Sequence, residues 1–411
     1  MTATALQQEE HLPEAIVCKW CGKSFHYLKS HISMGRCENI PESAKGLDVD
    51  EVVKMYTSAF PDEPTISRTA LAKLNEKRAE KHSGEGKVAE ISAHPGYAGT
   101  VEYKTELVAA HELLGVTIKE LGTPRGKPLQ VTVNVNTPYP EFVPEAKKNY
   151  VYGDFDLIKD IFMMLEIGIP GYLWGHAGTG KSSLPTQLCA LLNRPLIRAQ
   201  HTASMEEAHV TGQILARDGS TYFEPGLLAL AMKNGWVYLA DEYDFAFPQI
   251  LGVYQPVLEG EPLIIKEATA DWRRITPHKR FAFIGTGNTN GSGDETGLYQ
   301  GTNIQNAANF SRFGIVSNVK YMSTKAEVNM LAEAGVIREY AEKMVKFANL
   351  IREGYEKHQI SQPIGPRELL LSAKIGMMRG DFSAGIEKSF INKLPSTSAQ
   401  AAREVVQKIF G

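Results

Sequence analysis

A chain of 411 residues is too long for one compact core, so two or three structural units are expected. The net charge of -3 provides no global basic field to hold nucleic acid or a membrane surface, and no apolar run approaches membrane-span length, the richest stretches, such as Gly226–Met232, being short. The opening MTATALQQEEHLPE is acidic and lacks the hydrophobic segment of a secretory signal, which makes the cytoplasm the expected compartment.

The first feature along the chain is a cysteine cluster. Of the four cysteines, Cys18, Cys21 and Cys37 lie together near one end, and Cys189 sits in an apolar helical stretch. That is no disulfide framework; in a reducing compartment a tight cluster reads as metal binding. Residues 14–38 are expected to form a module of their own. Cys18-Lys-Trp-Cys21 has zinc-knuckle spacing, and Phe25, Leu28, His31 and Cys37 follow. The run Cys-Gly-Lys-x-Phe-x-x-Leu-x-x-His resembles a compact zinc finger of the prokaryotic type, with Phe25 and Leu28 as its minimal core. Thiolates and imidazole suit Zn²⁺, and so small a module needs a metal to fold. The expected ligands are Cys18, Cys21, His31 and Cys37, with His26 as the alternative to Cys37. Lys19, Lys23, Lys29 and Arg36 lie between Cys18 and Cys37 with no acid among them, which is compatible with nucleic acid. Small zinc modules dock on proteins equally well, and the expectation leans to a protein partner.

Residues 40–137 read as a linker or small accessory region. Turn signals fall at Pro61–Asp62, Ser83–Gly84, His94–Gly96, Thr123–Pro124 and Pro138–Pro144, with helical patches at Val49–Phe60 and Thr69–His82. A β-rich piece near Leu129–Val135 alternates as Val131, Val133 and Val135. No internal repeat is visible. From Tyr150 onward short apolar runs alternate with helical segments, the texture of a parallel α/β sheet. The predicted strands are Gly171–Trp174, Pro195–Ala199, Trp236–Ala240, Arg280–Gly285 and Gly314–Tyr321. After Met322 strands cease. Thr324 with Glu327 gives a capping-box signature. A long helix then carries Ile337, Tyr340, Met344, Phe347, Ile351 and Tyr355 at helical spacing, and another runs from about Pro366 to Met378. The prediction is an α/β core over 138–322, a parallel sheet flanked by helices, followed by an all-helical lid and tail over 323–411.

Gly175-His-Ala-Gly-Thr-Gly-Lys181-Ser182 fits G-x-x-x-x-G-K-[ST] in full, between a predicted strand and a helix. Glycines let successive backbone N–H groups curl around phosphates, and the helix N-terminus adds positive potential. The nucleotide-binding set is therefore Gly175, His176, Ala177, Gly178, Thr179, Gly180, Lys181, Ser182 and Ser183. Lys181 is expected on the β- and γ-phosphates and the Ser182 hydroxyl on Mg²⁺; His176 is expected to contribute its backbone rather than its imidazole. Pro185, early in the helix, is tolerable only near the first turn.

The apolar run Trp236–Ala240 leads straight into Asp241 and Glu242. Two carboxylates at a buried strand end are costly unless a cation sits there, and Mg·ATP supplies one. Asp241 is expected to hold Mg²⁺ and Glu242 to orient and polarise the attacking water. Phe281–Thr289 is a second buried strand ending in a polar residue, and Asn288 is placed to position the water with Glu242.

With these motifs the stretch from about Pro138 to Met378 resembles the MoxR-like AAA+ ATPases, and within them the CobS-type subunits of aerobic cobaltochelatase. Ala240-Asp-Glu-Tyr-Asp244 is similar to the CobS-type acidic motif, Gly285-Thr-Gly-Asn-Thr289 to its sensor-1 strand end, and Gly293-Asp-Glu-Thr-Gly-Leu-Tyr-Gln-Gly-Thr302 to the loop that sets this group apart. The resemblance implies a P-loop AAA+ core with a hairpin inserted in its second helix, within residues 212–227. It implies that Arg312 is a finger reaching the ATP of a neighbouring subunit, although Ser311 replaces the acidic residue that precedes that arginine in the family. It implies that Arg367, in Gly365-Pro-Arg-Glu368, is the sensor-2 arginine of the lid. It further implies ATP hydrolysis in a homo-oligomeric ring, a hexamer, and a partner carrying a von Willebrand-type domain. The zinc-finger-like module is an addition to that pattern. It keeps open a second reading, a nucleic-acid-associated AAA+ ATPase targeted by its finger.

Overall fold

In the computed structural model, which describes residues 13–33, 37–45, 47–61, 63–70, 102–217 and 220–411, the chain divides into two units, Met1–Ala89 and Glu90–Gly411. The first begins with a minimal hairpin, β1 (Ile16–Val17) antiparallel to β2 (Ser24–Phe25). Its turn is tightened by Cys18 N–H donating to Lys23 O at 2.9 Å and Gly22 N–H to Cys18 O at 2.8 Å. Helix α1 (Leu28–Ser33) follows, and then α2 (Val49–Ala59). Phe25 and Leu28 are buried as predicted, and they share the core with Ile16, Ile32, Val52 and Tyr56. Tyr56 is the keystone from α2: its ring meets Trp20 edge-on at 4.9 Å, and its hydroxyl accepts Lys19 N–H at 3.0 Å. The predicted helix over Thr69–His82 from residue 71 on, the turns at Ser83–Gly84 and His94–Gly96, and Arg36 lie outside the described residues.

In the second unit β3 (Thr105–Ala109) and β4 (Gln130–Asn134) pair antiparallel, with the short helix α3 (Ala110–Leu114) between them. Ala110, Leu121 and Val131 join this hairpin to the core on one face of the main sheet. Helix α4 (Phe155–Ile167) is capped by Asp154, whose side chain accepts Leu157 N–H, and ends at Gly168 in the left-handed region. The alternation then runs β5 (Gly171–Trp174), α5 (Ser183–Leu191), β6 (Leu196–Gln200), α6 (Glu207–Thr211), β7 (Gly212–Arg217), β8 (Ser220–Pro225), α7 (Leu227–Asn234) and β9 (Val237–Asp241). After a two-residue ribbon of β10 (Leu263–Ile264) and β11 (Arg274–Ile275) come β12 (Ala282–Gly287) and β13 (Ile315–Asn318).

All five predicted strands enter one sheet in the order β13-β5-β12-β9-β6, and every pairing is parallel. The near-continuous apolar runs are explained by burial on both faces. Tyr172, Tyr238 and Phe283 point into one layer, and Leu173, Val237, Leu239 and Ile284 into the other. The expected inserted hairpin is β7–β8, which leaves α6 and returns to α7. Pro185 falls in the first turn of α5, where its missing N–H costs nothing.

The helical region comprises α8 (Thr324–Glu333), α9 (Arg338–Glu356), α10 (Pro366–Arg379), α11 (Phe382–Ser389) and α12 (Ser396–Phe410) around their own apolar core. One local expectation is corrected. The cap of α8 is Ser323, whose side chain accepts Ala326 N–H, and Thr324 is the first helical residue. Glu327 is drawn inward instead, to the Arg352 guanidinium at 2.7 and 2.8 Å, with no exposed surface.

Candidate functional site

The strand order decides what meets at the centre of the second unit. The loop after β5, the carboxylates after β9 and the polar end of β12 lie at the same edge of three adjacent parallel strands. The loop must leave β5 sharply: Gly175 has φ +147°, and a Cβ there would stand 2.4 Å from Val319 O. A cavity of about 830 Å³ opens at this edge. Its walls include residues 177–183 of the loop, Asp241, Glu242, Thr286 and Asn288. Tyr150, Val151, Met322, Met330 and Leu370 add apolar surface, and Arg367 and Lys374 of α10 add charge.

Lys181 folds back over the loop. Its ammonium donates to the carbonyls of Gly175 at 2.7 Å and His176 at 2.9 Å, and to Asn288 Oδ1 at 3.1 Å. Burial lowers its pKa to about 8, against the pull of Asp244 and Asp241. The Ser182 hydroxyl and the Thr286 hydroxyl both donate to Asp241 Oδ1. The other oxygen, Oδ2, receives Arg198 Nε at 2.7 Å and a second guanidinium N–H. Burial works against ionisation of Asp241, but these donors outweigh it and hold the carboxyl below the usual carboxylate range.

Glu242 follows with φ 53° and ψ 42°, a left-handed backbone seldom adopted by a residue with a side chain. Its N–H donates to Thr286 Oγ1 at 3.2 Å, and its carboxylate accepts the Gln200 amide. Asn288 is aimed by Asp244, which has no exposed surface. One oxygen of Asp244 accepts Asn288 N–H at 2.8 Å, Thr289 N–H at 2.9 Å and the Thr289 hydroxyl at 3.0 Å. Burial pushes the Asp244 carboxyl up, and these bonds only partly offset it. The backbone passes so close here that a Cβ on Gly287 would stand 2.9 Å from Asp244 Cγ and closer still to the Tyr172 hydroxyl.

Of the residues picked out in the sequence, Lys181, Ser182, Asp241, Glu242, Asn288 and Arg367 share this cavity. Arg312 does not line it: its Nε donates to Glu259 at 2.7 Å and a second nitrogen donates to Ala308 O. His176 does not line it either: its imidazole is half-buried among tyrosines and bonded to the Tyr299 hydroxyl at 2.8 Å. Arg198, Gln200, Thr286 and Asp244 were not singled out as site residues. The available hint was polar alternation, Arg198 and Gln200 on one side of an otherwise apolar β6.

In the first unit the ligand atoms of Cys18, Cys21, His31 and Cys37 all lie within 4.8 Å of one another. Cys18 Sγ and Cys37 Sγ are 3.8 Å apart, and Cys21 Sγ is 3.3 Å from His31 Nε2. His26 turns away and bonds the Ser67 hydroxyl at 3.0 Å. Lys19 and Lys23 are paired with Glu63 and Glu38.

The sequence profile of the AAA domain (dynein-related subfamily) matches residues 172–302. The aerobic cobaltochelatase subunit CobS of Sinorhizobium sp. is 32% identical over 249 residues, which are 58% of this chain and 74% of that protein. An uncharacterized protein of Staphylococcus aureus is 23% identical over 265 residues, 62% of this chain and 96% of that one. Among solved structures, the Thermotoga maritima RuvB Holliday junction branch migration motor is 13% identical, with a TM-score of 0.38, covering 65% of this chain and 72% of that chain. Identity at the CobS level across three-quarters of that subunit, carried on a parallel sheet with its phosphate loop and acidic pair in adjacent strands, makes this chain a member of the CobS-like, MoxR-like AAA+ ATPases.

Proposed function

We propose that the chain is an ATP-hydrolysing motor subunit whose turnover site is the cavity beside β5, β9 and β12. The observation that carries this reading is the meeting of Lys181, Asn288, Ser182 and Asp241 through direct hydrogen bonds at one strand edge. The residues fit the cofactor. A cavity of about 830 Å³ is of nucleotide size. The touching oxygens of Ser182 and Asp241 are hard ligands of the kind Mg²⁺ prefers.

Bound Mg·ATP would supply the transferable phosphoryl group and the divalent cation. Lys181 and the loop N–H groups hold phosphate oxygens, and Ser182 and Asp241 hold Mg²⁺, directly or through water. Glu242 orients and polarises the attacking water, and Asn288 fixes its direction. Arg367 closes from the lid. Arg312, outside the cavity of its own chain, reaches the ATP of a neighbour, which calls for a homo-oligomeric ring, a hexamer in our reading. The work done is of the chelatase or protein-remodelling kind on a protein partner with a von Willebrand-type domain. The four cysteines form no disulfide, which suits a reducing compartment such as the cytoplasm.

The first unit would hold Zn²⁺ through Cys18, Cys21, His31 and Cys37. Zn–S bonds of about 2.3 Å give a tetrahedral edge of about 3.8 Å, the spacing of the Cys18 and Cys37 sulfurs. Because Lys19 and Lys23 are already neutralised by glutamates, we favour a protein rather than a nucleic acid as what this unit binds.

The test is ATP turnover with particle mass recorded with and without ATP, in the parent chain and in Glu242→Gln. The expected result is ATP-dependent assembly and turnover in the parent, and retained ATP binding with turnover reduced by ~10² or more in the variant. Turnover at the parent rate in Glu242→Gln would remove the water-positioning role. Mixing Arg312→Ala with Glu242→Gln chains should restore part of the activity, and no recovery despite subunit exchange would end the in-trans assignment.

A further inference from the structure

We infer that Tyr299 and His176 act together as positioning residues for the phosphate loop, fixing the peptide plane on which Lys181 rests; this inference depends on the ATPase reading above. Neither residue lines the cavity, so both act through the loop. The Tyr299 hydroxyl accepts Ala177 N–H at 3.1 Å and bonds His176 Nδ1 at 2.8 Å. A hydroxyl has one proton. Nδ1 is the acceptor bonded to this hydroxyl among the described residues, so we assign the proton to that contact, which makes the imidazole an acceptor there and places its own proton on Nε2. Burial, with Lys181 adding to it, holds the imidazole below its usual range, in the neutral form this role requires.

The geometry has a direct consequence for Lys181. Ala177 N–H and the His176 carbonyl belong to one planar peptide unit and point in opposite directions. Tyr299 holds the N–H end. The carbonyl end accepts Lys181 Nζ at 2.9 Å and the Thr179 hydroxyl at 2.9 Å. Rotation of this peptide would break these bonds together, and with them the Thr179 N–H bond to the same carbonyl at 3.4 Å, so the hydroxyl of Tyr299 shares in setting where the ammonium lies, alongside Gly175 O and Asn288 Oδ1.

Both supports of this plane are themselves fixed. Tyr299 N–H donates to Asp294 Oδ2 at 2.7 Å. Farther along the same loop, Asn303 N–H donates to Asp244 O at 2.7 Å. His176 stacks on Tyr321 at 5.8 Å with 4° between planes, and Tyr355 of α9 meets it edge-on at 5.7 Å. The other face of the arrangement is closed by Arg352, 3.9 Å from the Tyr321 ring centre and bonded to Glu327 and to Ile364 O. The loop of residues 293–302 and the lid thus converge on one phosphate-loop peptide from two sides.

The experiment uses the full chain and measures dissociation constants for a fluorescent ATP analogue, steady-state kinetics and melting temperature. Tyr299→Phe should weaken binding ~10-fold, the loss of a bond to a loop N–H, raising KM while kcat stays within ~2-fold. His176→Leu should do the same, and His176→Asn, which offers an acceptor near the place of Nδ1, should recover most of the affinity. The double variant Tyr299→Phe/His176→Leu should be no weaker than the worse single variant, since the pair acts as one unit. Parent-like affinity in Tyr299→Phe, or fully additive losses at unchanged melting temperature, would overturn the inference. Lys181→Ala separates the two levels. If the parent chain fails to bind ATP, or binds no better than Lys181→Ala, the ATPase reading falls and takes this inference with it; if only Tyr299→Phe behaves as the parent, the positioning role alone falls.

Discussion

The first unit has strands of two residues each, and Cys18 and Cys37 are themselves part of its core. The second spreads apolar side chains over both faces of a five-stranded sheet and adds a separate helical core. Size accounts for the contrast. A small core removes less apolar surface from water to offset the entropy of ordering, and the zinc we propose there would add to it. A larger one removes more, and the second unit also holds a buried ion pair and a left-handed Glu242.

The largest expected effect follows from that difference. Stripping Zn²⁺ with a chelator, or Cys18→Ser, should unfold the first unit outright, because apparent zinc binding energies of ~10 kcal/mol or more in such modules are folding energy. The near-ultraviolet circular dichroism of the Trp20–Tyr56 contact should disappear, and metal analysis of the intact chain should give one zinc per chain. ATP-analogue binding by the second unit should persist. Simultaneous melting of both units would break the comparison.

A smaller loss belongs to the lid. Glu327→Ala leaves the Arg352 guanidinium buried without its carboxylate, at a cost of about 3–5 kcal/mol. The denaturation midpoint of the second unit should fall, with zinc content unchanged.

The smallest effect is one of pH. His201 is fully buried, its Nε2 bonded to the Tyr254 hydroxyl at 2.8 Å and its Nδ1 3.0 Å from Ala199 O. Burial lowers its pKa to about 4. Since the unfolded chain takes up the proton near 6.5, this contribution is fully present above that pH and is lost as pH falls through about 4, in all about 3 kcal/mol. Melting curves between pH 7 and 4 should follow this fall, and His201→Gln should flatten it.

The sheet was largely legible from sequence, because strands buried on both faces announce themselves as apolar runs bounded by polar turns. Gly171–Trp174 was found to the residue, and the other strands within a few. The motifs of the candidate site were legible for a related reason: each sits at a strand end, where an apolar run stops at a polar residue. Arg198, Gln200 and Thr286 were not, since they reach Asp241 and Glu242 from neighbouring parallel strands. Which strands are neighbours, and in what register, is settled by long-range packing that no local period records. The same holds for Tyr299, more than a hundred residues along the chain from the loop it touches, and for Glu327, whose carboxylate is taken by Arg352, 25 residues along the chain.

Glu242 holds a left-handed backbone that costs of order 1 kcal/mol or more for any residue with a side chain. A glycine there would relieve that cost and an asparagine would reduce it. An engineer ranking substitutions by thermal tolerance alone would therefore be led to this position early and would be rewarded with a hardier protein. The gain would come from erasing the carboxylate to which we assign the water. In this chain a residue that selection for robustness would discard is the one to which we assign the work.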